Sequence, residues 1–187
     1  MSDTKQFWQG DFGNEYVQRN RFDWTKRIPF WKSIIELTSA RSVHEFGCNV
    51  GYNLSAIRRA FPDVQVSGND VNESALYMAN AAGIPAWNVM PTELRRELVF
   101  SCGVLIHIAP EDLKDIMQSI INASTEWVLA VEYFAPKEIE IIYRGYTGKL
   151  WKRDYGKLYR DMGLILYADG ITGEGFDGCA WHLLRKP

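Results

Sequence analysis

The residues best placed to do chemistry begin with Glu45-Phe46-Gly47-Cys48-Asn49-Val50-Gly51. Ser42 to Phe46 reads as a short strand. Asn53 to Phe61 reads as a helix, with Leu54, Ile57 and Phe61 at helical spacing. A glycine loop between a strand and a helix of an open α/β sheet lies where such sheets bind ligands, beyond the carboxyl ends of the strands. The dinucleotide fingerprint G-x-G-x-x-G, counted from Gly47, requires glycine at 49 and 52, where this chain has Asn49 and Tyr52. Side chains at both points obstruct a pyrophosphate, which disfavours NAD and FAD. Asp70 lies 19 residues beyond Gly51, at the end of the next strand. A carboxylate there is placed to accept hydrogen bonds from ribose hydroxyls. A tight turn or a surface acid alone would say nothing; loop, acid and spacing together point to a nucleoside.

A site that wants a ribose but not a pyrophosphate suits S-adenosylmethionine, a nucleoside with an amino-acid tail and a sulfonium. Glu45 can balance its cationic part. The expected cofactor-binding residues are Glu45, Gly47, Asn49, Gly51, Asp70, Val71 and Gly103. Methyl transfer to a hydroxyl also needs a base. His107 follows the fourth strand at the same edge, and an imidazole has a suitable pKa. The competing reading makes it a packing or capping residue before Pro110. Glu132 and Tyr133 end the fifth strand and are expected to position the acceptor. His44 and His182 sit inside strands and read as structural.

Tyr143 to Arg160 carries Arg144, Lys149, Lys152, Arg153, Lys157 and Arg160 against Asp154, a net +5 in a chain whose total is −2. Tyrosines and Trp151 interleave. A solvated helix face is the bland reading. The sharper one is that Tyr143, Arg144, Lys152 and Arg153 hold an anionic acceptor, since arginine forks match carboxylates and phosphates.

The elements that must position these groups alternate. Ile28 to Ala40 is a helix with Ile28, Trp31, Ile34 and Ile35 on one face. Val64 to Gly68 is a second strand. Asn72 caps a helix that Gly83 ends. Ile84 to Val89 is a weaker strand, and Leu98 to Leu105 is an apolar run typical of a strand buried on both faces. Pro110-Glu111-Asp112 opens a helix with Leu113, Ile116, Met117 and Ile120 as its buried stripe. Trp127 to Phe134 is a fifth strand. Leu164 to Ala168 and Ala180 to Leu184 form an antiparallel pair across the glycine-rich Gly170 to Gly178. The pattern predicts a mostly parallel α/β sheet with helices on both faces and one reversed strand at an edge. Met1 to Lys26, irregular and aromatic, is expected to be a clasp in which Trp8, Phe12 and Tyr16 cover the ligand cleft.

Glu45 to Gly51 resembles motif I of the class I methyltransferases, E/D-x-G-x-G-x-G, with Asn49 in place of the middle glycine. Asparagine tolerates the left-handed backbone better than most residues. Gly103-Val104-Leu105-Ile106-His107-Ile108 resembles the G-V-L-x-H segment after strand four of many such enzymes. Phe7-Trp8-Gln9-Gly10-Asp11-Phe12-Gly13-Asn14-Glu15-Tyr16 with Arg19-Asn20 resembles the start of the small methylases associated with pseudaminic acid biosynthesis. Glu132-Tyr133, Tyr143-Arg144-Gly145 and Lys152-Arg153-Asp154 resemble later motifs of that group. The resemblance covers nearly the whole chain. It implies a single Rossmann-like class I domain over residues 1–187 with a seven-stranded sheet: a clasp at 1–26, a cofactor-binding core at 42–134 and an acceptor side at 135–187. It also implies methylation of an acidic sugar or nucleotide-sugar, without fixing the acceptor atom.

The composition agrees with a globular chain: 187 residues, 47% hydrophobic and 24% charged, with no apolar run of membrane-spanning length. The slightly acidic balance argues against a protein that wraps nucleic acid. Amino-methylating DNA enzymes carry D/N-P-P-Y/F after strand four, where this chain has Ser101-Cys102-Gly103-Val104. Cys48, Cys102 and Cys179 are odd in number and far apart, which suggests neither disulfides nor a metal site. With no signal-peptide pattern the expected location is the cytoplasm. The alternatives are a nucleotide or nucleic-acid methyltransferase and a nucleoside-binding protein without catalysis.

Overall fold

In the computed structural model, residues 3–187 are described, and the first two residues of the expected clasp lie outside them. The chain opens with helices α1 (Asp3–Gln9) and α2 (Asp11–Arg19), a 3₁₀ turn at Trp24–Arg27, and α3 (Ile28–Thr38). An alternating core follows: β1 (Ser42–Phe46), α4 (Tyr52–Ala60), β2 (Gln65–Asn69), α5 (Glu73–Ala81), β3 (Ala86–Trp87), β4 (Arg96–Cys102), α6 (Pro110–Ala123) and β5 (Ser124–Glu132). The last third holds a small ladder of β6 (Ile139–Glu140) and β7 (Trp151–Lys152), then α7 (Tyr155–Asp161), β8 (Ile165–Ile171) and β9 (Ala180–Arg185).

Seven strands form one sheet in the order β3-β2-β1-β4-β5-β9-β8, parallel from β3 to β5. The reversed strand is β9, antiparallel to both β5 and β8. It therefore lies one place in from the edge, where the sequence had put it at the edge. The reason is the crossover through α7. It carries the chain past one vacant position and makes β8 run with β5, and the hairpin return then fills that position.

Local chemistry sets the boundaries. Asn72 caps α5 by accepting from the Ala75 amide, and Pro110 occupies the first turn of α6 ahead of Glu111 and Asp112. Leu98, Val99 and Phe100 are fully buried in the centre of β4. That strand stops at Cys102 because Gly103 turns left-handed (φ 67°), and Leu105–His107 is a 3₁₀ turn rather than more strand. The expected strand at Ile84 to Val89 keeps only its middle two residues.

Two cores sandwich the sheet. Trp31, Ile34, Leu54, Ile57 and Ala79 from α3, α4 and α5 cover one face with Phe100 and Leu129. Leu113, Met117 and Ile120 of α6 and Tyr155 and Tyr159 of α7 cover the other with Val99 and Val128. Among the described residues no helix is long and apolar enough to cross a membrane.

Candidate active site

A cavity of about 640 Å³ opens at the carboxyl ends of β1, β2, β4 and β5. Its floor is the loop between β1 and α4. Gly47 (φ 72°), Asn49 (φ 47°) and Gly51 (φ 80°) all adopt the left-handed conformation. At Gly47 a side chain is also excluded sterically, since a Cβ would lie 2.5 Å from Val104 Cγ2. Asn49 supports its own strained turn: its Oδ1 accepts from the Val50 amide at 2.7 Å. Gly47 and Asn49 line the cavity, whereas Gly51 stands behind it and turns the chain into α4.

Two acids end the neighbouring strands. Asp70 lines the cavity and accepts from two amides, Asn49 N to Oδ2 at 2.8 Å and Asn72 N to Oδ1 at 2.9 Å. Each oxygen keeps a lone pair for a further donor. Burial raises its pKa, and those amide bonds oppose the rise. Glu45 is 1% exposed. Its Oε1 accepts from Asn53 Nδ2 at 2.6 Å, while Oε2 is buried with no hydrogen-bond partner among the described residues. Burial pushes its pKa up to about 8, against lowering contributions from Asn53 and Arg27.

Arg27 is a site residue that the sequence reading missed. It lies between the rings of Phe22 and Phe176, 4.1 and 4.4 Å from their centroids. Its Nε donates to Gly175 O at 2.8 Å and its Nη1 to Asn53 Oδ1 at 2.9 Å. A guanidinium so fixed at the cavity wall beside Glu45 can receive a carboxylate next to a group that receives an ammonium. Asn53 joins the two. The only local signal was the aromatic company of Arg27, and its partner Gly175 lies 148 residues away in sequence.

His107 lines the cavity and is buried. Its Nδ1 lies 2.7 Å from Lys149 O. A carbonyl only accepts, so Nδ1 carries the proton and Nε2 keeps its lone pair. Burial lowers the pKa to about 4. The ring packs against Trp8 and Tyr143, with centroids 4.6 and 4.9 Å away. Val71, Gly103 and Tyr133 also line the cavity, and burial raises the Tyr133 phenol to about 12.

Besides Gly51, three expected site residues do not line the cavity. Glu132 is 2% exposed and does not line the cavity. Its Oε1 accepts from the amides of Val104 and Leu105 at 3.2 and 3.1 Å, and Oε2 from Ile106 at 3.4 Å. Strand alternation sends Tyr133 to the cavity and Glu132 beneath it, where it holds the turn that bears His107. Burial raises its pKa to about 7. Arg153 is also 2% exposed and reaches away from the cavity, donating to Leu105 O, Ile108 O and Glu138. Lys152 lies over the Tyr133 ring without lining the cavity. Of the four expected acceptor groups, Tyr143 and Arg144 remain. They sit at a tight turn in which Tyr143 and Tyr146 exchange backbone hydrogen bonds, and Arg144 takes the left-handed φ of 51°. Its exposed guanidinium lines the cavity and has no ion-pair partner among the described residues.

Helices α1 and α2 form a wall of the cavity. Trp8 and Tyr16 line it, while Phe12 turns aside to stack on Phe7 at 4.0 Å. Asn72 fastens this wall: its Nδ2 donates to Trp8 O at 3.1 Å and to Asn14 Oδ1 at 3.0 Å. Lys149 pairs with Asp3 at the other end.

No family model matches the chain, and no curated protein does. Solved structures do. Magnesium protoporphyrin IX methyltransferase from Synechocystis PCC 6803, with bound S-adenosylmethionine, superposes with a TM-score of 0.70 at 16% identity, covering 100% of this chain and 99% of that one. The sugar N-methyltransferase KedS8 from Streptoalloteichus sp ATCC 53650 gives 0.69 at 10% identity, covering 95% and 93%. The amino pentose methyltransferase CalS10 from Micromonospora echinaspora gives 0.67 at 10% identity, covering 95% and 97%. The fold is therefore the Rossmann-like one of these methyltransferases.

Proposed function

We propose that this protein transfers a methyl group from S-adenosylmethionine to a hydroxyl or amine of a small acceptor, an acidic sugar or nucleotide-sugar. The observation that carries the reading is the pair of acids at the ends of β1 and β2. Asp70 has spare lone pairs beside a left-handed glycine loop, and Glu45 presents a buried oxygen without a partner. An orphaned buried carboxylate oxygen is costly and calls for a donor. The ammonium of an amino-acid tail supplies one. Asp70 would take the ribose hydroxyls, Arg27 the carboxylate and Glu45 the ammonium. The fold shared with enzymes holding this cofactor supports the reading.

When bound, the cofactor supplies an electrophilic methyl on a sulfonium. The chain's own residues orient the acceptor and manage its proton. His107 Nε2 accepts that proton, and the bond from Nδ1 to Lys149 O holds the ring in the required tautomer. Its low pKa keeps it unprotonated at neutral pH. Trp8 and Tyr16 exclude water on the side of α1 and α2, which thereby act as the clasp. Arg144 is the remaining candidate for the acceptor's anion. Arginine in a left-handed turn position is strained, and such strain gathers at functional sites. The sugar methyltransferases among the structural neighbours support a sugar acceptor.

Isothermal calorimetry with S-adenosylmethionine and its demethylated product tests the first half, and absence of binding to both sinks it. Turnover of radiolabelled methyl against a panel of acidic, neutral and amino sugars tests the second. Arg144→Lys is expected to raise the acceptor KM without changing cofactor affinity.

A further inference from the structure

Arg153 does not serve the cavity described above, and its geometry indicates what it serves instead. A second cavity of about 500 Å³ lies between α6 and α7, on the other side of the His107 turn. Arg153 is one of its lining residues. The Nη1 of its guanidinium is committed to Leu105 O, Ile108 O and the Tyr155 hydroxyl. The other edge, Nε with Nη2, is half used. Nε donates to Glu138 Oε2 at 2.6 Å, while Nη2 is buried with no partner among the described residues. An arginine edge offers two parallel donors that a single oxyanion group can fill together. Glu138, whose side chain is 49% exposed, fills one of them and is free to swing out.

The rest of the lining is two-sided. Lys114 and Lys137 are exposed and have no ion-pair partner among the described residues. The acids are occupied: Asp154 caps α7 by accepting from the Lys157 amide, and Asp161 pairs with Lys157 at 2.5 Å. Leu113, Met117, Leu158 and Met162 supply an apolar wall.

We infer that this second cavity binds an oxyanion carried on an apolar body, which displaces Glu138 and takes the Nε–Nη2 edge of Arg153 with Lys114 and Lys137 flanking it. The site is separate from the methyl-transfer reading and does not rest on it. An unpaired buried donor, two unpaired lysines and an apolar wall meet at one place, and each matches a part of such a ligand. Desolvation strengthens the charged pair once the apolar body covers it.

Octanoate is the probe, titrated into the full chain and followed by nitrogen–proton NMR at the Arg153 Nε–H resonance. A saturable shift of that resonance is expected. Octanol, which has the body without the charge, and acetate or inorganic phosphate, which lack the body, are expected to bind at least tenfold more weakly. Glu138→Ala should tighten octanoate binding and Lys114→Glu with Lys137→Glu should weaken it tenfold or more. All three positions are exposed, so the variants are expected to fold. An unmoved Arg153 resonance, equal response to acetate and octanoate, or indifference to the lysine reversals would overturn the inference.

Discussion

At the scale of single residues the proposed function divides the site into groups expected to touch ligand and groups that hold them. Asp70 belongs to the first kind. Asp70→Ala should weaken S-adenosylmethionine binding by about 1.5–3 kcal/mol, the scale for losing hydrogen bonds to a charged group. Calorimetry on the folded variant measures it, and unchanged affinity refutes the ribose assignment. His107 makes a sharper case. His107→Ala is expected to slow turnover about 10²–10⁴-fold with cofactor affinity intact. If His107 is the base proposed above, the acid limb it imposes on kcat/KM in the unaltered protein should fall near pH 4, because burial lowers its pKa to about 4. A limb of histidine origin at pH 6.5 would contradict that placement. Residue types and spacing made the placement of Asp70, Gly47 and His107 readable, since Gly47 and Asp70 directly follow β1 and β2 and His107 closes the turn after β4. Arg153 shows the limit. Its charge is visible in the sequence, but the direction of its side chain depends on Leu105 and Ile108, more than 40 residues away. Glu132 beside Tyr133 was partly readable: adjacent strand residues point to opposite faces, so only one of the pair can meet the ligand.

At the scale of elements the decisive contact is that of the β1–α4 loop with the turn after β4. Gly47→Ala places a methyl against Val104 and keeps the left-handed backbone. The backbone should cost about 1–2 kcal/mol and the overpacking about 1–3 kcal/mol. Adding Val104→Ala removes both offending methyls but keeps Cβ at 3.0 Å, so it should relieve part of the second cost and leave the first. Chemical denaturation of the single and double variants separates the two, and a double variant no more stable than Gly47→Ala would show that Val104 is not the obstacle. The strand and helix order of residues 42–134 was legible because each element carries its own periodicity and caps. The position of β9 was not. Which of two sequential strands takes the inner place depends on the length of the α7 crossover, a property of the path rather than of either strand.

At the scale of the whole molecule, buried ionisable groups make stability depend on pH. Glu45 and Glu132 have folded pKa values raised by burial to about 8 and about 7. Above the ordinary carboxylate range the folded chain therefore binds more protons than the unfolded one, and stability falls as pH rises. His44 and His107, lowered to about 4, act in the opposite sense between pH 4 and 6.5. Above pH 6.5 the unfolded histidines progressively lose their protons, so their opposing contribution fades and the two acids increasingly set the slope. The melting temperature should fall between pH 6.5 and 8, and Glu45→Gln should flatten that fall. A flat profile in the unaltered protein would show that these carboxyls are not desolvated as described.

The bond from Asn72 to Trp8 and Asn14 has a temporal meaning as well as a spatial one. The same residue donates its backbone N–H to Asp70, so the latch on α1 and α2 and the proposed seat for the ribose share one pivot. On the methyl-transfer reading proposed above, a spent cofactor seated there is expected to leave when the helices part, and parting them breaks the Asn72 side-chain bonds. Chemistry then waits on departure. The first turnover should be fast and later ones slow, giving a burst of product equal to the number of active sites in rapid-quench measurements. Asn72→Ser keeps a cap for α5 and unfastens the helices, so it should shrink the burst by speeding the later turnovers. A linear time course from the first millisecond in the unaltered protein would mean that departure does not set the pace of turnover.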